Sequence, residues 1–207
     1  MQEQLEKIKL LHELRKEEIE RFLEQTRNKT ADYRLGELFF CICTPQSKAK
    51  YAREFVNRLK REDKLWKVTL EELRNDYLKN IRFNERKAEY IIKAREMFSD
   101  INIRLDTLPK NQLREWLYEN ILGFGLKESA HFMRNVGIHD IGIIDVHVQN
   151  FLKKMGMFDG EVGKISKKTY AELESKFFEL SHLSGIPPPE LDIIIWLHQS
   201  GEEEFYG

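Results

Sequence analysis

Lys127 and Asp145 are the two side chains whose type and setting could together do chemistry. Lys127 follows Leu122-Gly123-Phe124-Gly125-Leu126 and opens the helix-forming run ESAHFMRN. A lysine in the first turn of a helix faces the positive end of the helix dipole, where a further positive charge is unwelcome. In a tight site near other cations its pKa would tend to fall, and an amine nucleophile requires that. Asp145, in Ile144-Asp145-Val146-His147, is a natural N-cap for the next helix, and its carboxylate could turn toward that amine across the gap between helices. Spacing alone leaves the plain alternatives open: a solvated lysine and an aspartate that only caps.

Gly123 and Gly125 bracket one aromatic residue in a chain with only 11 glycines, so they answer a backbone requirement. A tight hairpin of Gly123, Phe124 and Gly125 between two helices would expose unpaired backbone N–H groups at the start of the second, and such a place binds anions, phosphate above all. The GxxxxGK[ST] pattern and its preceding strand are missing, which argues against a nucleotide-binding loop. The hairpin suits a grip on a nucleic-acid backbone that does not read sequence, with a simple interhelical turn as the alternative.

The elements that must position these residues read as helices almost throughout. Leu5, Ile8, Leu11, Ile19, Phe22 and Leu23 make an apolar stripe through a charged N-terminal helix. Leu35, Leu38, Phe39 and Ile42 mark a second, stopped where Pro45 restricts Thr44. Ser47 is the expected cap of a third helix reaching about Arg61. Thr69 with Glu72 forms a capping box for a fourth, Asn84 caps a fifth through Phe98, and Pro109 opens a sixth to Asn120. Further helices are expected after Gly125, near Asp145, near Ser166, and from Pro187-Pro188-Pro189 to Gly201. The expectation is an all-α fold of about ten helices. No repeat or linker divides the chain, so residues 1–207 are expected to form one domain with two helical lobes around a cleft.

At 207 residues and 41% apolar content the chain can build a sizeable core. No run approaches the roughly 20 apolar residues of a membrane span, and the opening MQEQLEKIKLLHELRKEE is too charged for a signal peptide. An intracellular, cytoplasmic location follows as the expectation. Cys41 and Cys43 are expected as buried small apolar residues, and two cysteines are too few to hold an iron–sulfur cluster. Neither a metal site nor a cofactor motif is apparent. The net charge of −1 hides asymmetry: residues 44–67 hold eight Lys or Arg against three acids, and residues 171–207 hold eight acids against Lys176 alone. The basic region could meet phosphates, or could simply decorate solvated helix faces.

Gly123-Phe124-Gly125-Leu126-Lys127 followed by Ile144-Asp145-Val146-His147 resembles the helix-hairpin-helix and Gly/Pro-Asp signature of DNA base-excision glycosylases, in the bifunctional version whose lysine is the nucleophile. Cys43-Thr44-Pro45-Gln46-Ser47-Lys48-Ala49 is similar to the segment that precedes it in the same superfamily. Chain length, the missing iron–sulfur motif, the missing N-terminal β-domain and the late Trp196 narrow the resemblance to the short 8-oxoguanine DNA glycosylase/lyase class. Leu122 stands where the family has a proline.

The resemblance implies an enzyme acting on double-stranded DNA that contains oxidised guanine, needing no cofactor, expected as a nucleoid-associated monomer. It implies Lys127 as nucleophile and Asp145 as the group that stabilises charge on the sugar. Phe83 and Trp196 would stack on a flipped base, and Gln46 would fill the gap or touch the estranged partner. The proton on N7 of 8-oxoguanine needs an acceptor, for which a backbone carbonyl, Asp192 and the terminal carboxylate of Gly207 are the candidates. The family often ends in lysine, whereas this chain ends Glu204-Phe205-Tyr206-Gly207. A glycosylase for another lesion and a non-enzymatic DNA-binding module are the competing readings.

Overall fold

The structure is a computed structural model and describes residues 2–201; the tail with Glu204 to Gly207 lies outside the described residues. Eleven α-helices and no strand occur among them. These are α1 (Gln2–Thr26), α2 (Ala31–Cys43), α3 (Ala49–Arg61), the single turn α4 (Leu70–Glu72), α5 (Asn84–Glu96), α6 (Phe98–Thr107), α7 (Lys110–Asn120), α8 (Leu126–Asn135), α9 (Val146–Lys154), α10 (Lys167–Ser184) and α11 (Pro188–Ser200). A π-helical turn, Leu73–Tyr77, continues α4. The fold is all-α. Two compact units divide the chain: Asn28–Val136 carries α2 to α8, and residues 2–27 with 137–201 carry α1 and α9 to α11.

In the Asn28–Val136 unit α2 is the central element. Every residue from Arg34 to Cys43 is buried, as expected of a helix packed on all sides, here by α3, α5 and α8. That burial takes Glu37 inside, and the fold satisfies its carboxylate: Arg53 donates to both oxygens at 2.5 and 2.9 Å, and Asn135 Nδ2 donates at 2.8 Å. Glu37 thereby ties α2 to α3 and to the far end of α8, the helix that carries Lys127. Breaking such a buried pair from one side costs about 3–5 kcal/mol, because the remaining charge is stranded. Arg34 does the same for α6, donating to Asp106 at 2.8 and 3.0 Å and to Asn102 at 2.6 Å.

In the other unit Ile193, Ile194 and Ile195 are fully buried on α11, which packs against α1, α9 and α10. His12 of α1 pairs with Glu190 in the first turn of α11 at 2.6 Å. Ser166 caps α10 by accepting from Thr169 N, and left-handed Gly185 and Gly201 close α10 and α11.

Three sequence expectations need correction. The run from Asn84 to Phe98 is not one helix: the chain turns at Met97 and a separate α6 begins at Phe98, whose buried ring meets the edge of Trp66 at 5.4 Å. No glycine or proline announces that break. Ser47 does not cap α3, which has Lys48 at its N-cap position; the Ser47 hydroxyl instead accepts from Arg82 N at 3.0 Å. Asn84 is the first residue of α5, and the cap position belongs to Phe83 in the left-handed region. Cys41 and Cys43 are buried, as expected, and burial pushes the Cys43 thiol up to about 12.

Candidate active site

The hairpin before α8 is built from conflicting demands on its two glycines. Gly123 has φ +86°, a conformation L side chains avoid, and a Cβ there would stand 2.7 Å from the Tyr90 ring of α5. Gly125 is extended, with φ −101° and ψ −176°, so its backbone would accept any residue. A Cβ there would instead meet Glu128 Oε2 at 2.9 Å. Phe124 between them is buried and packs edge-on against Phe132, ring centroids 6.0 Å apart, so its ring serves the core and not the surface.

Glu128 is the residue the sequence reading passed over. Its Oε2 accepts from the N–H of Gly125 at 3.1 Å, the backward half of a capping box; glycine, having no side chain, cannot supply the forward half. Phe124 N meanwhile donates to Ile121 O at 3.1 Å. Two hairpin N–H groups are thus used internally, and the anion-binding offer rests on the Gly123 N–H and the first-turn N–H groups of Leu126, Lys127 and Glu128. Lys127 Nζ lies 3.9 Å from Glu128 Oε1, and its side chain is 26% exposed. That carboxylate offsets the unfavourable meeting of an ammonium with a helix N-terminus. The signal was present in the spacing Gly125-x-x-Glu128, which matches a capping box with glycine as the cap.

Asp145 sits at the entrance of α9, and its Oδ1 accepts from Val148 N at 2.8 Å. The approach is a buried strap, Ile141 to Ile144, held by α10: Gly142 N donates to Glu174 Oε1 at 3.0 Å, Tyr170 OH donates to Gly142 O at 2.7 Å, and Ile144 N donates to Tyr170 OH at 3.3 Å. These bonds fix where α9 begins. In the same unit Trp196 is half-buried with its ring 6.5 Å from that of His147, and Asp192 lies one turn earlier on α11 and is buried. Asp145 thus caps α9, and Trp196 and Asp192 lie on α11, the helix packed against α9.

Gln46 and Phe83 form a second gathering, in the Asn28–Val136 unit. Both are non-glycine residues in the left-handed region, with φ 57° and 59°, a rare and costly conformation outside glycine. Phe83 is 51% exposed, and Arg82 stacks over its ring at 5.5 Å. The bond from Arg82 N to Ser47 Oγ joins the Phe83 corner to the Gln46 loop. Lys127 belongs to this unit and Asp145 to the other. Of the basic region, Arg53, Arg58, Lys64 and Lys67 are paired with acids, while Lys48, Lys50 and Arg61 are exposed. Among the described residues no group of three His, Cys, Asp or Glu side chains could hold a metal ion, and no helix is long and apolar enough to cross a membrane.

A helical scaffold with a glycine hairpin, a lysine in the first turn behind it and an aspartate-capped helix further on is the architecture of a helix-hairpin-helix base-excision protein. The profile of the family described as 8-oxoguanine DNA glycosylase, of the helix-hairpin-helix type, matches residues 2–186. A Fusobacterium nucleatum 8-oxoguanine DNA glycosylase/AP lyase is 37% identical over 172 residues, covering 80% of this chain and 79% of that one. The crystal structure of the 8-oxoguanine DNA glycosylase of Thermotoga maritima superposes with a TM-score of 0.86 at 26% identity, covering 99% of this chain and 100% of the other. That of the Methanocaldococcus jannaschii 8-oxoguanine glycosylase/lyase in complex with a 15mer DNA containing 8-oxoguanine gives 0.83 at 30% identity, covering 96% and 99%. The chain belongs to the helix-hairpin-helix 8-oxoguanine DNA glycosylase family.

Proposed function

We propose that this protein excises 8-oxoguanine from double-stranded DNA and then nicks the strand, with Lys127 as the nucleophile of both steps. The target base is first flipped out of the stack. The free amine of Lys127 attacks C1′ of the flipped nucleotide, the bond from C1′ to N9 breaks, and the base departs with the bonding electron pair and takes up a proton. Ring opening leaves an imine between Nζ and C1′. Loss of a C2′ proton then expels the 3′ phosphate by β-elimination, and hydrolysis of the imine frees the enzyme. Asp145 stabilises the positive charge that builds on the sugar as the base leaves.

The observation that carries this reading is a partly exposed amine in the first turn of α8, directly behind a glycine hairpin and beside the Glu128 carboxylate. The hairpin and the N–H groups of the first turn hold a DNA phosphate and bring the sugar to the amine. Phe83 and Trp196 stack on the base, Gln46 enters the gap, and Asp192 belongs to the base pocket. The DNA-bound M. jannaschii relative supports the choice of substrate.

Borohydride trapping tests it. With an 8-oxoguanine duplex a covalent protein–DNA adduct should accumulate, and with an undamaged duplex it should not. Tight binding without any adduct would leave a DNA-binding module, and an adduct with other lesions only would move the specificity elsewhere.

A further inference from the structure

We propose that Lys87 is a positioning residue for base excision, its buried ammonium holding Gln46 and Phe83 in the conformations in which they meet DNA. The proposal rests on the reading above that those two residues touch the substrate.

Lys87 lies in the first turns of α5 and is 5% exposed. Its Nζ donates to Cys43 O at 2.8 Å and to Pro45 O at 2.7 Å, and lies 3.3 Å from Ser47 Oγ. An ammonium has three donors, and three oxygens surround this one. All three acceptors come from the end of α2 and the loop that bears Gln46, so one side chain of α5 clamps the loop on both sides of that residue. Cys43 O is a last-turn carbonyl of α2, at the negative end of that helix, where a cation is favoured. Burial pulls the ammonium's pKa below the ordinary lysine value, so the clamp is held against a desolvation penalty an apolar side chain would not carry.

The clamp fixes geometry at two points. Gln46 and Phe83 are two of the four described non-glycine residues with positive φ, and such residues persist only where their surroundings hold them. Ser47, one partner of Lys87, also accepts from Arg82 N, next to Phe83. One turn further along α5, Tyr90 lies against Gly123 of the hairpin. A single helix face thus gauges the gap-filling loop and the hairpin, and the stacking corner stands at that helix's entrance. A lysine on a polar helix has no mark in sequence that separates it from a solvated one.

The experiment is a mutant cycle read by single-turnover excision of 8-oxoguanine from a duplex, with thermal melting measured for each protein. Lys87→Met keeps length and removes the charge. It should slow excision by on the order of 10- to 100-fold, the loss that misplaced groups outside the chemistry can cause. In a Gln46→Ala/Phe83→Ala background, adding Lys87→Met should change the rate by less than about twofold, because the residues it acts through are gone. If the two losses multiply, Lys87 acts by another route and the proposal falls. If Gln46→Ala/Phe83→Ala leaves excision unchanged, the reading that these residues meet DNA fails, and the proposal fails with it. Should Lys87→Met not fold, Ser47→Ala in the same cycle decides: a loss that vanishes in the double-alanine background supports the clamp, and no loss or a multiplicative one overturns it.

Discussion

Helix α8 begins on a glycine and α9 on an aspartate, and the two entrances leave different groups for chemistry. At α9 the Asp145 side chain caps its own helix through Oδ1, and a strap of buried isoleucines held by Tyr170 and Glu174 presets its direction. At α8 the cap residue has no side chain, so stabilisation comes from behind: Glu128 reaches back to the Gly125 N–H and also stands beside Lys127. At one entrance the carboxylate proposed for catalysis is also the cap; at the other the structural work falls to a neighbour, Glu128. A cap and a charge stabiliser are compatible in one carboxylate, which has two oxygens, whereas a nucleophilic amine must keep its lone pair.

The contrast predicts unequal consequences of removing each group, and the largest is expected at Lys127. Lys127→Gln should lower excision by roughly 10³-fold or more and abolish the borohydride-trapped adduct, as loss of a nucleophile does, with the duplex dissociation constant changed only a few-fold. Gel detection of the adduct and anisotropy of a labelled duplex check both halves. Excision near the wild-type rate would end the role given to Lys127.

Asp145→Asn should come next. Asparagine caps as well as aspartate, so the melting temperature should hold, while loss of the charge should cost about 10²- to 10³-fold in single-turnover excision. Asp145→Ala should additionally lower stability by about 1 kcal/mol through the lost cap. If Asn and Ala lower melting and activity in parallel, the carboxylate is only a cap.

How far these entrances were legible in sequence depends on the kind of residue. Gly123, Asp145, Ser166 and Gly201 announce themselves because turn and cap geometries admit few residue types, and the structure uses each at such a position. The α5–α6 break at Met97 is not legible, since no glycine or proline stands there; what the structure adds is the long-range contact of buried Phe98 with Trp66. Ser47 departs from the cap its position predicts because its hydroxyl accepts from a long-range partner, Arg82 N. Lys87 was invisible for the same reason: its three acceptors are 40 or more positions away in sequence. Local chemistry is written in neighbouring residues, and long-range satisfaction of a polar group is not.

A smaller effect is expected at Phe83 and Trp196, the rings proposed to stack on the base. Phe83 is exposed and strained at a helix entrance, while Trp196 is half-buried against His147. Each alanine substitution should cost roughly 1–3 kcal/mol in engagement of 8-oxoguanine, the range for base–aromatic stacking, with abasic duplex still cleaved by the Lys127 route. Trp196→Ala should also lower the melting temperature, and Phe83→Ala should not. Equal losses on lesion and abasic duplexes for Trp196→Ala, with reduced stability, would assign that ring to packing alone.

The smallest expected effect separates the two glycines. Gly123→Ala forces an L residue to φ +86°, at a cost of about 1–2 kcal/mol, and also drives a methyl group toward the Tyr90 ring. Gly125→Ala meets no backbone strain; its methyl displaces the mobile end of Glu128, and the expected cost is the lost hydrogen bond to Gly125 N, about 0.5–1.5 kcal/mol. Both should weaken binding to damaged and undamaged duplexes alike, because backbone contacts carry no lesion information, and Gly123→Ala should be the weaker binder. Dissociation constants for both duplexes at one fixed salt concentration check this, since phosphate contacts are salt-dependent. Adding Tyr90→Leu to Gly123→Ala makes room for the methyl group but leaves the dihedral strain, so it should recover part of the loss and no more. Full recovery would show that the clash with Tyr90, and not the left-handed turn, is what requires glycine at 123. A defect confined to the lesion duplex would place the hairpin against the flipped nucleotide and not along the DNA backbone.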